Sequence, residues 1–250
     1  MDQPALRGVS SYPGKPMVLA HRGRLPGFAD NTVPAFIECG RLGADGVELD
    51  VRRSGDGALV VVHDPVVPDV GAVSDLTVAA MPEWVPLLDE ALAACGAMTV
   101  NVEIKNDPSE PGFDGSGSLA VAVAQAISGR EEQVMVSSFH RPTLDVIHSE
   151  SPRMPTAWLA IHLDEADLGD LAGAGHSGVN LLHFSITPDL VASAHRRGLQ
   201  VGAWTVDEPE TMVQLAKWGV DLLITNRLEL AREAMGAWVR ACADRRWSHR

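Results

Sequence analysis

The chain has 250 residues, 46% of them hydrophobic, which is enough to bury a large core. Its formal net charge of −13 disfavours binding to nucleic acid and to anionic membranes. Three widely spaced cysteines provide neither a disulfide framework nor a zinc motif, and the sequence has no signal-peptide core and no membrane-spanning apolar run. We therefore expect a soluble, cytoplasmic protein without stable membrane association, and its oligomeric state stays open.

Apolar runs typical of buried strands alternate with helical patterns along the whole chain. The predicted strands lie at 17–20, 46–51, 98–105, 133–139, 156–161, 178–184, 199–206 and 220–225, and a hairpin partner of the second lies at 58–64. The predicted helices lie at about 31–42, 87–95, 118–129, 140–150, 164–173, 187–197, 208–218 and 227–240. Asp30 or Asn31 is expected to cap the first helix, 106–117 to form a loop, and the tail 241–250 to be frayed or loosely docked.

Eight strand–helix units predict a single α/β domain over residues 1–250, with a closed (β/α)8 TIM barrel over 17–235. An open dinucleotide-binding sheet is the weaker alternative, because no G-x-G-x-x-G motif follows the first strand.

Ionisable side chains collect where the predicted strands end, which is where barrels of this class hold their active sites. These residues are His21 and Arg22 after the first strand, Glu48 and Asp50 in the second, His63 in the hairpin strand, and Glu103 and Lys105 in the third. Carboxylates two residues apart in a strand share a face, so neighbouring strands bring Glu48, Asp50 and Glu103 together.

This set of residues indicates metal-assisted phosphoryl or phosphodiester chemistry. An all-oxygen cluster suits one Mg²⁺ or Ca²⁺ ion, with no preference between the two. His21 and His63 are the candidate acid and base, in either order. Arg22 and Lys105 are the candidate anion-binding groups, and His183 lies on the same rim as a candidate substrate contact.

Several sequence blocks resemble the glycerophosphodiester phosphodiesterase family. They are HRG (21–23), DNT (30–32), GADGVELDVRRSGDGALVVVHDP (43–65), EIK (103–105), SSF (137–139), AWTVDE (203–208) and GVDLLITNR (219–227). The resemblance implies a (β/α)8 barrel, a divalent cation on Glu48, Asp50 and Glu103, and acid–base catalysis by His21 and His63. It further implies that Arg22 and Lys105 lie near the substrate phosphate, and that Phe139 and Trp204 line a glycerol pocket.

The implied reaction is hydrolysis of a small glycerophosphodiester to glycerol 3-phosphate and an alcohol. The identity of the alcohol, and whether water or a substrate hydroxyl attacks first, stay open. Two alternatives are a phospholipase D- or C-like enzyme acting on lipids and a non-catalytic barrel that binds a phosphodiester.

Some features depart from the family pattern or lie outside it. Asp30 replaces the usual Glu, which we expect to alter only a loop contact, and Asn226 replaces the usual Asp, which we interpret as a helix-cap exchange. The segment 65–86 forms a shorter cap than the family's insertion, which implies an open mouth.

The other histidines are expected on the surface or in helices: His140, His148, His162, His176, His195 and His249.

Overall fold

The computed structural model describes residues 15–247, with side chains to residue 243, and in this part of the chain strands and helices alternate. The barrel strands are β1 (Met17–His21), β2 (Gly46–Arg53), β6 (Thr99–Ile104), β7 (Val134–Ser138), β8 (Thr156–Ala160), β9 (Gly178–Leu182), β10 (Gln200–Trp204) and β11 (Leu222–Thr225), while β3 (Leu59–Val61), β4 (Val66–Val67) and β5 (Gly71–Ala72) lie between β2 and β6. The helices are α1 (Val33–Arg41), α2 (Leu88–Cys95), α3 (Ser118–Ala126), α4 (Arg141–Glu150), α5 (Glu165–Gly173), α6 (Pro188–Arg196), α7 (Pro209–Trp218) and α8 (Leu228–Trp247).

Eight parallel strands close into a barrel, which confirms the predicted (β/α)8 fold. β1 pairs with β11 on one side and with β2 on the other, so the sheet has no open parallel edge. The register places His21 beside Glu48 and Asp50 beside Glu103. Strand pairing therefore aligns the ionisable residues that the sequence places at the strand ends.

Alternation along the strands produces two apolar layers. Inside the barrel, Leu19 packs with Met135, Leu222 and Ile224. Val18, Ala20, Val47 and Leu49 face outward and join the larger core beneath the helices. Because Leu19 faces inward, so does His21 two residues later, at the level where the apolar filling ends.

The cap is small, as the sequence predicts. Between Pro65 and Pro86 it contains the short β4–β5 hairpin and two single helical turns, at Val73–Asp75 and Val78–Ala80. Val67 and Val73 of the cap pack on Val60 and Val62 of the strand β3 region, which anchors the cap beside the barrel mouth.

Two local expectations are wrong, on the cap of α1 and on His176. Neither Asp30 nor Asn31 caps α1: the N-cap residue is Thr32, while Asp30 binds Arg24 and Asn31 binds Asp50. In the tail expected to be frayed or loosely docked, α8 continues to Trp247, and residues 248–250 lie outside the described residues. His176 is neither on the surface nor in a helix, because it is buried between Thr156 and Asp145. His249 lies outside the described residues.

Candidate active site

A cavity of about 280 Å³ opens at the carboxyl ends of the barrel strands, and we call it the mouth. Its walls contain most of the predicted site residues: His21, Arg22, Glu48, His63, Glu103, Lys105, Phe139 and Trp204. Asn101, Leu159, Thr205 and Ile224 complete the lining. The structure thus gathers side chains from six barrel strands and from the residues after β3 around one opening.

The carboxylates of Glu48, Asp50 and Glu103 form a buried cluster at the mouth. One oxygen of each lies within 4.8 Å of the others. Burial, followed by repulsion from Asp50 and Glu103, raises the pKa of Glu48 well above its usual value. Burial also raises the pKa of Glu103, against the opposing charge of Lys105. An uncompensated carboxylate cluster of this kind is costly to bury unless a cation accompanies it.

Two basic side chains neutralise only part of this cluster. Lys105 Nζ lies 3.1 Å from Asp50 Oδ1 and also contacts Glu103, while Arg22 Nε lies 3.4 Å from Asp50 Oδ2. For Asp50, burial opposes ionisation, but Lys105 and other positive neighbours outweigh it and lower the pKa. With three carboxylates against two basic groups, the formal charge is −1 when both histidines are neutral.

The donor set fits a hard divalent cation. Glu48 Oε1 is buried and has no hydrogen-bond partner within the part of the chain that the structure describes, although Glu48 Oε2 accepts a 2.9 Å hydrogen bond from the Arg22 backbone amide. An unpartnered carboxylate oxygen beside two further carboxylates is the type of ligand that Mg²⁺ and Ca²⁺ prefer. The two arginines of β2 bind other groups: Arg52 binds Glu110 and the His63 carbonyl, and Arg53 binds Ser118.

The two histidines have different hydrogen-bond partners. His21 Nδ1 lies 2.7 Å from Asn226 Oδ1, and His63 Nδ1 lies 2.6 Å from a carboxylate oxygen of Asp64. Burial lowers the pKa of His21, against the hydrogen bond with Asn226. Burial, followed by the charge of Lys105, lowers the pKa of His63.

Asn226 is itself oriented by Asp207. Its Nδ2 donates a 2.9 Å hydrogen bond to Asp207 Oδ2, and its backbone amide donates to Asp207 Oδ1 at 2.8 Å. Because a carboxylate only accepts hydrogen bonds, the amide oxygen of Asn226 must face His21. His21 therefore carries its proton on Nδ1, which leaves the lone pair on Nε2. The interpretation of Asn226 as a mere helix-cap exchange is wrong, since its side chain binds the two side chains of His21 and Asp207.

The backbone beside the cluster is strained. Arg22 and Asn31 adopt positive φ angles of 56° and 58°, a conformation that residues other than glycine rarely adopt. The Asn31 amide donates to the Arg22 carbonyl at 2.7 Å, and the Asn31 side chain donates to Asp50 at 2.7 Å. Gly23 follows with φ 65°, and a Cβ there would lie 2.8 Å from Phe36. Such strain clusters at functional sites, where the surroundings hold it in place.

The aromatic residues occupy the opposite wall of the mouth. The rings of Phe139 and Trp204 meet edge to face, with centroids 5.5 Å apart. His183 does not line the mouth: its ring stacks on Phe184, and its Nδ1 lies 3.4 Å from the Trp204 carbonyl. It therefore lies on the predicted rim, behind Trp204.

Sequence reasoning did not assign site roles to Asn31, Asn101, Asp207 and Asn226. Asn101 lines the mouth and both of its buried amide atoms have no hydrogen-bond partner. Its position two residues before Glu103 in β6 was an available signal, because residues two apart in a strand face the same side. For Asp207 and Asn226 the available signal was their position directly after the predicted strands 199–206 and 220–225, at the end of the barrel that holds the other site residues.

The comparisons with known proteins agree with this architecture. The profile of the glycerophosphoryl diester phosphodiesterase family matches residues 21–230. A glycerophosphodiester phosphodiesterase from Caldanaerobacter subterraneus subsp. tengcongensis is 32% identical over 234 residues, covering 85% of this chain and 94% of that protein. The chain therefore belongs to the glycerophosphoryl diester phosphodiesterase family.

Solved structures share the fold. A glycerophosphodiester phosphodiesterase from Parabacteroides distasonis has a TM-score of 0.80 at 22% identity and covers 89% of this chain and 98% of its own. A phosphodiesterase from Oleispira antarctica, solved with the product sn-glycerol-3-phosphate, has a TM-score of 0.80 at 20% identity and covers 88% and 97%. Within residues 15–247, no helix has both the length and the apolar character to cross a membrane.

Proposed function

We propose that this protein hydrolyses glycerophosphodiesters to glycerol 3-phosphate and an alcohol, with one divalent cation held by Glu48, Asp50 and Glu103. The observation that carries the proposal is one mouth that contains two histidines, two basic groups and a buried carboxylate cluster with an unpartnered oxygen. Family membership and the product named for the Oleispira antarctica structure support the substrate class.

The charges suit a phosphodiester anion once a cation is present. The formal charge of −1 becomes +1 with a divalent ion, so the mouth attracts an anion although the whole chain carries −13. The bound cation would polarise the phosphoryl oxygens and offset the charge that develops on them. Arg22 and Lys105 would bind the remaining oxygens, and the guanidinium group of Arg22 can contact two of them at once.

The hydrogen bonds of the histidines support a division of roles. We assign the base to His21, because its Nε2 lone pair is free to take the proton of the attacking hydroxyl. We assign the acid to His63, because the Asp64 carboxylate 2.6 Å away accepts a hydrogen bond from its Nδ1 and offsets part of the burial and Lys105 charge that lower the pKa of His63. As the hydroxyl oxygen bonds to phosphorus, the bond from phosphorus to the leaving oxygen breaks, and His63 protonates that oxygen.

A panel of glycerophosphodiesters tests this function. We expect the purified protein to release glycerol 3-phosphate from glycerophosphoethanolamine or glycerophosphocholine when Mg²⁺ or Ca²⁺ is present, and EDTA to remove the activity. Glu48→Gln should lower the activity at limiting cation concentration, and excess cation should restore part of it. Full activity in EDTA would contradict the metal assignment, and no release from any member of the panel would contradict the function.

A further inference from the structure

A large cavity lies outside the barrel mouth, between α1, α2 and the cap. This outer groove has a volume of about 900 Å³. Its walls are mainly apolar and include Phe28, Pro34, Ile37, Trp84, Ala93 and Ala94. Phe28, Ile37 and Trp84 are large apolar side chains exposed to 38%, 56% and 46%. Exposed apolar side chains grouped in one concave site commonly mark a binding surface.

A third cavity lies between the outer groove and the mouth and shares wall residues with both. This connecting cavity of about 320 Å³ shares Ala29 and Trp84 with the outer groove, and it shares Arg22 and His63 with the mouth. Asp64, the hydrogen-bond partner of His63, also lines the connecting cavity. The three cavities therefore adjoin one another, and they extend from the candidate acid to the apolar surface on the outside of the barrel.

We propose that the outer groove binds the aliphatic chain of the alcohol that leaves past His63. On this assignment, which rests on the proposed function, the substrate class is glycerophosphodiesters whose alcohol carries an alkyl or acyl chain. The connecting cavity takes the polar first atoms of that alcohol, and the outer groove takes the chain.

The chemistry of the lining favours this occupant over others. Among the described residues that line the outer groove there is no lysine, arginine or histidine, and the ionisable side chains are the carboxylates Glu83 and Glu90. A second phosphate or another anion therefore has no cationic partner there. A small polar alcohol would fill only the connecting cavity and leave the larger apolar surface uncovered. An aliphatic chain uses both the size and the apolar character of the groove.

A series of alkyl esters of glycerol 3-phosphate tests the assignment. We would measure kcat/KM for the ethyl, butyl, hexyl, octyl and decyl esters, each below its micelle-forming concentration. Partial burial of each added methylene predicts an increase of about twofold per carbon from butyl to decyl. Ile37→Ser should lower the ratio of decyl to ethyl kcat/KM by about fivefold or more, because Ile37 lies in the outer groove.

The protein offers a matched control for the Ile37→Ser variant. Ile161 is 63% exposed on the rim after β8 and is not part of the outer groove. Ile161→Ser should therefore keep the wild-type dependence on chain length. If Ile161→Ser lost the dependence of kcat/KM on alkyl chain length and Ile37→Ser kept it, the alkyl chain would bind outside the outer groove, which would overturn the assignment.

The remaining outcomes separate this inference from the proposed function. Hydrolysis of every ester with no dependence on chain length would keep the function and overturn the groove assignment. If no ester is hydrolysed, calorimetry can compare the binding of decyl phosphate with that of ethyl phosphate. Tighter binding of decyl phosphate that Ile37→Ser weakens would support the groove assignment even without hydrolysis. A dimer that Ile37→Ser dissociates, together with a flat series, would assign the groove to a second copy of the chain and overturn the proposal.

Discussion

The hydrogen bond that His21 Nδ1 donates to Asn226 Oδ1 leads to a prediction for a single side chain. Asn226→Ala removes the oxygen that holds the His21 proton on Nδ1. We expect kcat to fall by about tenfold to hundredfold, part of the roughly 10²–10⁴ that a positioned acid or base contributes. KM should change little, because Asn226 does not line the mouth. Steady-state kinetics would measure both constants.

A spectroscopic readout distinguishes positioning from general loss of structure. Nitrogen NMR of the labelled His21 ring should show the Nδ1–H tautomer in the wild-type protein and a mixture of tautomers in Asn226→Ala. Asn226→Asp keeps an acceptor oxygen toward Nδ1 and should retain more activity than the alanine variant. Equal losses of kcat in both variants, with an unchanged tautomer, would show that Asn226 acts only on stability.

The sequence predicted the placement of individual side chains where one strand decides their direction. Glu48 and Asp50 lie two apart in β2, so alternation alone places them on one face. The contact between His21 and Asn226 was not predictable in this way. It depends on barrel closure, which brings the end of β11 beside β1 across about 200 residues of chain. The left-handed backbone conformation of Arg22 and Asn31 was likewise not predictable from the sequence, since neither residue is glycine.

At the scale of elements, Asp114 organises the loop that leads into α3. Its Oδ2 accepts hydrogen bonds from the Leu119 amide and the Ser118 hydroxyl, and its Oδ1 accepts from both donors of Ser116. Burial opposes ionisation of Asp114, but these hydrogen bonds outweigh it and hold the pKa well below its usual value. Composition predicted a loop here, but not the residue that fixes its shape.

Asp114→Ala should therefore destabilise the protein. At pH 7 we expect a loss of about 2–3 kcal/mol in the free energy of unfolding, since charged groups make the stronger hydrogen bonds. The folded-state pKa lies below the unfolded value of about 3.9, so the contribution is complete well above that value. As pH falls through the unfolded pKa toward the folded pKa, the difference between the wild type and the variant should shrink.

Urea unfolding at several pH values between 3 and 7 would measure this difference. Asp107→Ala is the matched control, because Asp107 makes the same kind of turn with Ser109 on an exposed part of the same loop. Its effect should be much smaller. A difference for Asp114→Ala that stays constant down to pH 3 would contradict the ionic origin of the stabilisation.

At the scale of the whole molecule, the order of strands was predictable because each strand–helix unit is local and the closed barrel repeats it. Eight apolar runs identified the eight barrel strands, with boundaries that differ by no more than two residues. The length of α8 was not predictable in the same way, since the polar residues after Ala241 lack a clear apolar period. The outer groove also escaped prediction, because α1, α2 and the cap meet only in the folded protein.

The carboxylate cluster at the mouth affects the stability of the entire barrel. Glu48, Asp50 and Glu103 belong to the paired strands β2 and β6, so their mutual repulsion opposes folding of the sheet itself. A cation that binds only the folded state offsets this cost by mass action. At a concentration of about 100 times Kd, it adds about 2.7 kcal/mol to the free energy of unfolding.

We therefore expect Mg²⁺ or Ca²⁺ to raise the melting temperature by about 5–10 °C relative to EDTA, given the usual sensitivity of a domain of this size. Glu48→Gln should abolish most of this shift, and in EDTA it should melt no lower than the wild type, because it removes one of the repelling charges. Asp89→Asn, an exposed substitution in α2, should keep the full shift and so control for general charge effects. Differential scanning calorimetry would record all three proteins with and without the ion. If the cation still raised the melting temperature of Glu48→Gln by the full amount, the metal would have to bind outside the mouth.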